Sequence, residues 1–196
     1  SKCSVLHLGH NNPSIQYVIG QYQLPNVSSI RDLGIVYSDK IKFDVYINNI
    51  VSRAYQRIYL IFRSFVCRDC NLLKRAYCTY VRPLLEYCTP VWNPYLIKDI
   101  DKIENVQRYF TRRLFPFSTY SYNKRLSLLK LEPLELRRLK CDLKVYFQII
   151  NGLIIIEREQ FFVAADNHYD TRGHVNKLEK QLYPNNVMSN TFSNRA

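Results

Sequence analysis

From Phe43 to Phe65 the apolar residues recur at steps of four, three and one: Phe43, Ile47, Ile50, Val51, Ala54, Ile58, Ile61, Phe62 and Phe65. That spacing follows the helical period and predicts an amphipathic helix of about seven turns, capped at its start by Ser38 or Asp39. Upstream the pattern is different. Short mixed runs at Cys3–Leu8, Ile15–Ile19, Tyr22–Leu24 and Leu33–Tyr37 are separated by turn formers such as Gly9–Pro13 and Gly20, and read as edge strands of a sheet lying mostly before this chain. A second helix is predicted over Asn71–Tyr87, kinked or ended near Arg82 because Pro83 cannot continue the hydrogen-bond ladder.

Pro90 and Pro94 flank Trp92 and predict a loop. A third helix is expected over Lys98–Leu114 with Ile100, Ile103, Val106, Phe110 and Leu114 inward. Its start carries Asp101 and Glu104 at capping-box spacing, with Asp99 an equal cap candidate. Lys124–Leu129 is a short helical turn, and Leu136, Leu139, Leu143, Tyr146, Phe147 and Ile150 mark a fourth long helix stopped by Asn151-Gly152. Beyond Gly152 the periodicity fades into polar, Asn-rich sequence. The predicted class is therefore mainly α: a helical bundle (38–152) preceded by a small hairpin and edge-strand segment (1–37) and followed by an irregular tail (153–196).

Composition sharpens this. Of 196 residues, 47% are hydrophobic and only 5 are Gly, against 16 Tyr and 10 Phe, which suits packed helices better than a turn-rich sandwich and excludes a disordered chain. The net charge is +12, and such an excess most often serves attraction to phosphate. The basic residues group: seven Lys or Arg lie between Arg53 and Arg82 against one acid, Asp69, and further clusters form at Arg108-Arg112-Arg113 and Arg137-Arg138-Lys140-Lys144. Basic helical faces with interleaved Tyr fit contact with a nucleic-acid backbone, where phosphate supplies the affinity.

Other chemistry is poorly supported. Cys67 and Cys70 form a C-x-x-C, but Cys78 and Cys88, if on one helix, would stand roughly 15 Å apart and could not complete a zinc site. No His-x-x-x-His, Gly-x-Ser-x-Gly, P-loop or dinucleotide fingerprint occurs. Asp99 and Asp101 sit at a helix start, where acids favour the macrodipole, and do not converge on a two-metal site. No catalytic residue and no metal ligand is assigned. Without a signal peptide or an apolar run near the ~20 residues of a membrane span, the chain reads as intracellular, with reduced thiols and no membrane partner.

One ordered set of motifs goes further. Tyr80-Val-Arg-Pro-Leu-Leu-Glu-Tyr-Cys-Thr-Pro-Val-Trp-Asn-Pro-Tyr95 resembles a signature of the reverse transcriptases of non-LTR (LINE-type, jockey-like) retrotransposons. In the same order, Lys2–Gly9 is similar to the end of that family's palm, and Arg31-Asp32-Leu33-Gly34-Ile35 to its primer-grip hairpin. Asp99–Arg113 is similar to a helix in which Ile103-Glu104-Asn105-Val106-Gln107-Arg108 falls in register. Tyr122–Leu126 with Leu131–Arg138, Thr171-Arg172-Gly173-His174 and Phe192-Ser193-Asn194-Arg195 complete the series.

The resemblance implies that residues 1–37 are the last palm strands and primer grip, and 38–152 the helical thumb and connection that hold a primer–template duplex of RNA and DNA. Leu33, Gly34 and Ile35 would support the primer end, and Arg53, Arg57, Arg82, Arg108, Arg112 and Arg113 would contact phosphate. The family's polymerase uses Mg on paired aspartates upstream of this sequence, so catalysis by this chain alone is not expected. The palm and fingers would be its protein partners, and the nucleus its site of action within an active element. Both ends read as cut. The alternatives are a domesticated helical protein-interaction module and a non-functional relic.

Overall fold

The computed structural model describes residues 3–9, 12–114, 119–163, 177–179, 181–183 and 186–195; the Thr171–His174 motif lies outside them. The fold is mainly α, and among the described residues the strand pairs lie in the N-terminal segment. Among the described residues no helix is long and apolar enough to cross a membrane.

Three two-stranded pairs precede the helices. β1 (Val5–Leu6) runs parallel to β4 (Asn26–Val27), and β2 (Val18–Ile19) pairs antiparallel with β3 (Tyr22–Gln23). The longest is the hairpin β5 (Ser29–Asp32) with β6 (Ile35–Ser38), in register Ser29↔Ser38 to Asp32↔Ile35. The strand expected from Leu33 therefore begins at Ile35. Leu33 and Gly34 form the two-residue turn, with φ of 45° and 88°. Positive φ at both central positions matches the type I′ geometry that suits the twist of a tight hairpin. Ile35 is 1% exposed and anchors the hairpin to the helical core.

α1 (Asp44–Ser64) is shorter at its start than the apolar pattern suggested. Ser38 does not cap it. Its hydroxyl accepts from the Lys42 N–H and donates to the Lys42 carbonyl, closing a loop in which Ile41 takes a φ of 53°. That left-handed residue keeps the chain out of helical geometry until Phe43, which has no side-chain cap bond. α2 (Cys70–Tyr80) is capped by Asp69, whose carboxylate accepts from the Leu72 N–H at 2.7 Å. It breaks at Val81, and α3 (Arg82–Glu86) follows, as Pro83 requires. The expected loop around Trp92 is instead a helical turn, α4 (Thr89–Trp92), entered through Cys88 at a φ of 53°. Trp92 is 1% exposed, and its indole N–H donates to the Tyr87 carbonyl. The Pro90 and Pro94 that suggested a loop are compatible with this: Pro90 fits the first turn of a helix, where its missing N–H costs nothing.

α5 (Ile97–Leu114) is the central helix and is buried on two sides. Ile103, Val106, Phe110 and Leu114 meet α1 and α2, where the Tyr77 ring stacks on Phe110 at 4.3 Å between centroids. Glu104, Gln107 and Thr111 form a polar stripe facing α6 (Tyr122–Leu129) and α7 (Leu134–Ile150). Glu104 does not close a capping box on its own helix. Its carboxylate accepts from the Tyr122 hydroxyl and from the Leu134 N–H, so it caps α7. The buried Gln107 accepts from Tyr77 and donates to the Glu132 carbonyl at 2.9 Å.

α7 packs the opposite way from its apolar pattern. Leu136, Leu139, Leu143 and Phe147 are exposed, whereas Leu134, Arg138, Asp142 and Ile149 are buried. Asn93 joins this polar face to α4: its amide donates to Asp142 at 2.9 Å and accepts from the Arg138 Nε at 3.0 Å. The described residues of the tail include side chains that pack on α7. Phe162 is buried, with Tyr146 edge-on to its ring at 5.2 Å and Phe192 beside it at 5.9 Å. The closing turns Asn186–Ser189 and Phe192–Arg195 end on Arg195, which pairs with Asp142 at 2.8 Å and donates to the Pro90 carbonyl at 2.7 Å.

Candidate nucleic-acid interface

The β5–β6 turn stands over α1, and the space between them is a cavity of about 680 Å³. Arg31 and the Leu33–Gly34 turn line it from the hairpin, Asn49 and Arg53 from α1, and Leu84 and Tyr87 from the α3 end. Strand register and helical periodicity place them. Arg31 and Val36 are cross-strand partners in the hairpin, and Asn49 and Arg53 are one helical turn apart on α1. The Tyr87 hydroxyl donates to the Leu33 carbonyl at 3.0 Å, fixing the turn against α3. A Cβ added to Gly34 would meet nothing closer than the Tyr87 ring at 4.0 Å, so the glycine is required by its φ and not by crowding.

Two features make this concavity suited to an anion. The side chains of Arg31 and Arg53 are exposed and have no hydrogen-bond or ion-pair partner among the described residues. Both also act on Tyr46 in the cavity wall: burial pushes its hydroxyl up, while Arg53 and Arg31 pull it down. At the rim, Leu33 is 82% exposed in a left-handed conformation that costs a non-glycine residue about 1–2 kcal/mol. An exposed leucine held at such a φ is the kind of strain that concentrates at functional sites.

The six arginines named from sequence do not form one patch. Only Arg53 lines the cavity. The Arg57 guanidinium donates to the Tyr80 carbonyl at 2.6 Å. That carbonyl ends α2 next to Pro83, which has no N–H, while the Leu84 N–H goes to Val81 instead. Arg57 thus closes a gap that the proline opens. Arg82 pairs with Glu86 at 3.6 Å, in a surface chain of charges that continues through Arg137, Glu132 and Lys140. Arg108 is held by Asp101 at 3.2 Å and lies over the Tyr122 ring. Arg113 lies over Phe62 at 4.4 Å and donates to the Tyr109 hydroxyl, while Arg112 beside it is exposed. Phe62 is nine residues beyond Arg53 and half a turn round α1, so this second basic cluster faces away from the cavity.

Of the three residues matched to a primer grip, Leu33 and Gly34 reach the cavity and Ile35 belongs to the core. Arg31 and Asn49 were missed by the sequence reading. Arg31 reaches the cavity beside Val36, its cross-strand partner in the hairpin, a pairing that no local pattern in the sequence reveals. Among the described residues no group of three or more His, Cys, Asp or Glu side chains is placed to hold a metal ion. Cys78 and Cys88 lie on different elements, because the helix breaks at Val81, so a separation argued from one continuous helix does not apply.

No protein-family model matches the chain, and no solved structure does. It is similar to an uncharacterized protein of Caenorhabditis elegans, 27% identical over 128 residues, which is 64% of this chain and 65% of that relative. The chain thus spans just under two thirds of the relative's length.

Proposed function

We propose that this chain is the palm edge, thumb and connection region of a non-LTR retrotransposon reverse transcriptase, and that it grips a nucleic-acid duplex at the hairpin–α1 cavity. The observation that carries the reading is the meeting of Arg31 and Arg53, both unpartnered among the described residues, with the Leu33–Gly34 turn. Two guanidiniums from separate elements present forks to successive phosphates, and the exposed turn offers backbone and an apolar contact beside them. Affinity comes from phosphate neutralisation, so the grip is independent of sequence. The nucleotide transfer itself belongs to palm aspartates absent from this sequence, where Mg would act.

Fluorescence anisotropy with a labelled RNA–DNA primer–template, titrated at several salt concentrations, tests this. Duplex binding should weaken steeply with salt, and Arg31→Met with Arg53→Met should together reduce the log–log salt slope by about 2. Binding that ignores salt, or is untouched by the double substitution, would remove the proposal.

A further inference from the structure

α7 carries two faces of opposite character. Its buried side is polar, through Arg138 and Asp142, while Leu136, Leu139 and Leu143 project outward at steps of three and four, 40%, 44% and 44% exposed. Tyr146 and Ile150 continue the same three–four alternation but are only partly exposed, with the Phe162 ring already standing edge-on to Tyr146, so the open stretch is the one from Leu136 to Leu143. That is the seam spacing of a helix that packs knobs into holes against a partner helix. One border of this seam is basic, with Arg137, Lys140 and Lys144 stacked at steps of three and four along one edge of the helix; the other border carries the exposed Glu135. Arg137 is held by Glu86 through two nitrogens and shared with Glu132, and Lys140 pairs with Glu132, so Lys144, exposed and without an ion-pair partner among the described residues, is the border's unengaged cation.

The N-terminal end of the seam opens on a cavity of about 400 Å³, which Leu136 and Leu139 share with Arg138, Glu135 and the paired Asp142 and Arg195. Arg138 is 1% exposed, and both terminal amino groups of its guanidinium lack a hydrogen-bond partner. A buried guanidinium with an empty fork is costly unless a carboxylate or similar acceptor reaches it.

We infer that this outward face of α7 docks an acidic amphipathic helix of another protein, its apolar residues on Leu136, Leu139 and Leu143 and its carboxylates along the basic border and toward Arg138. Charge selects this occupant. A second copy of the chain would bring another net charge of +12 and set its own basic border beside this one. The surface is separate from the hairpin–α1 cavity, so the inference does not depend on duplex binding.

The test uses the full chain and a synthetic helical peptide of about 18 residues with a leucine seam flanked by Glu, read by fluorescence anisotropy against the same peptide flanked by Lys. The Glu peptide should bind and the Lys peptide should not. Leu143→Asp changes an exposed residue and should weaken binding by about tenfold or more, with circular dichroism unchanged. Lys140→Glu with Lys144→Glu should transfer the preference to the Lys peptide. Arg138→Met should also weaken the Glu peptide; because that residue is buried, the two surface variants keep the test independent of its folding. Equal binding of both peptides, no binding of either, or a concentration-dependent dimer abolished by Leu143→Asp would each overturn the inference.

Discussion

Glu104, in the middle of α5, accepts a hydrogen bond from the backbone N–H of Leu134 at 2.9 Å and so caps a helix that begins thirty residues later. The same carboxylate accepts from the Tyr122 hydroxyl. One side chain therefore ties α5, α6 and α7 together at a site 5% exposed to solvent. Two donors depend on it, and both lose their partner if it is shortened. Glu104→Ala should lower stability by about 3 kcal/mol, while Glu104→Gln, which can accept from Leu134, should cost about 1 kcal/mol. Urea denaturation followed by circular dichroism measures the difference. Equal midpoints for the two variants would show that an acceptor at this position contributes nothing to stability.

The tyrosines around this carboxylate set the alkaline limit of the fold. Burial pushes the Tyr77 hydroxyl well above its ordinary value, with Tyr122 and Glu104 adding to the effect. Burial also raises Tyr122, as does its bond to Glu104. A group raised in the folded state contributes stability that is full below its unfolded value and is lost as pH climbs toward the folded one. Stability should therefore hold up to about pH 10, the ordinary tyrosine value, and fall steadily above it. Tyr122→Phe should flatten that fall. Tyrosinate absorbance recorded alongside helical ellipticity decides the matter: the buried tyrosines should ionise only as the helices melt, and ionisation well before melting would refute their linkage.

Arg53 and Arg57 are one turn apart on α1 and should behave differently. Arg57 satisfies the Tyr80 carbonyl, so Arg57→Met should cost about 1–2 kcal/mol of stability. Arg53 has no partner among the described residues, so Arg53→Met should leave stability within about 0.5 kcal/mol and instead weaken duplex binding and its salt dependence. Thermal melts and anisotropy on the same two variants check both halves. A stability loss at Arg53 equal to that at Arg57 would remove the distinction between a grip and a brace.

This contrast also shows what could be read from residues alone. Helix existence was legible wherever apolar positions kept the helical period, as in α1, α5 and α7, because that period is imposed by the backbone and survives any packing arrangement. The side that packs was not. Leu136, Leu139 and Leu143 mark a helix correctly and then face outward, since the stripe records an apolar face without naming what covers it. Glu104 sits at capping-box spacing from Asp101, yet its partner is a distant N–H brought near only by the fold. Arg57 looked like a free cation because nothing local reveals that Pro83 leaves the Tyr80 carbonyl exposed. In the candidate site, the turn and Arg53 were named from sequence, whereas Arg31 and Asn49 join them only once the hairpin lies over α1.

Leu33 offers the last test, because its conformation opposes its chemistry. At a φ of 45° a leucine is strained, and at 82% exposure its side chain returns no packing energy to offset the strain. Leu33→Gly should therefore stabilise the protein, by about 1 kcal/mol after the extra freedom gained by the unfolded chain is subtracted. If the exposed side chain serves the cavity, the same substitution should weaken duplex binding. Gly34→Ala supplies the control: its φ of 88° makes a side chain costly even though the space beside Tyr87 is open, so stability should fall by about 1 kcal/mol. Thermal unfolding and anisotropy on both variants separate the cases. Higher stability with weaker binding for Leu33→Gly assigns the strain to ligand contact, whereas higher stability with unchanged binding would reduce Leu33 to a tolerated turn residue.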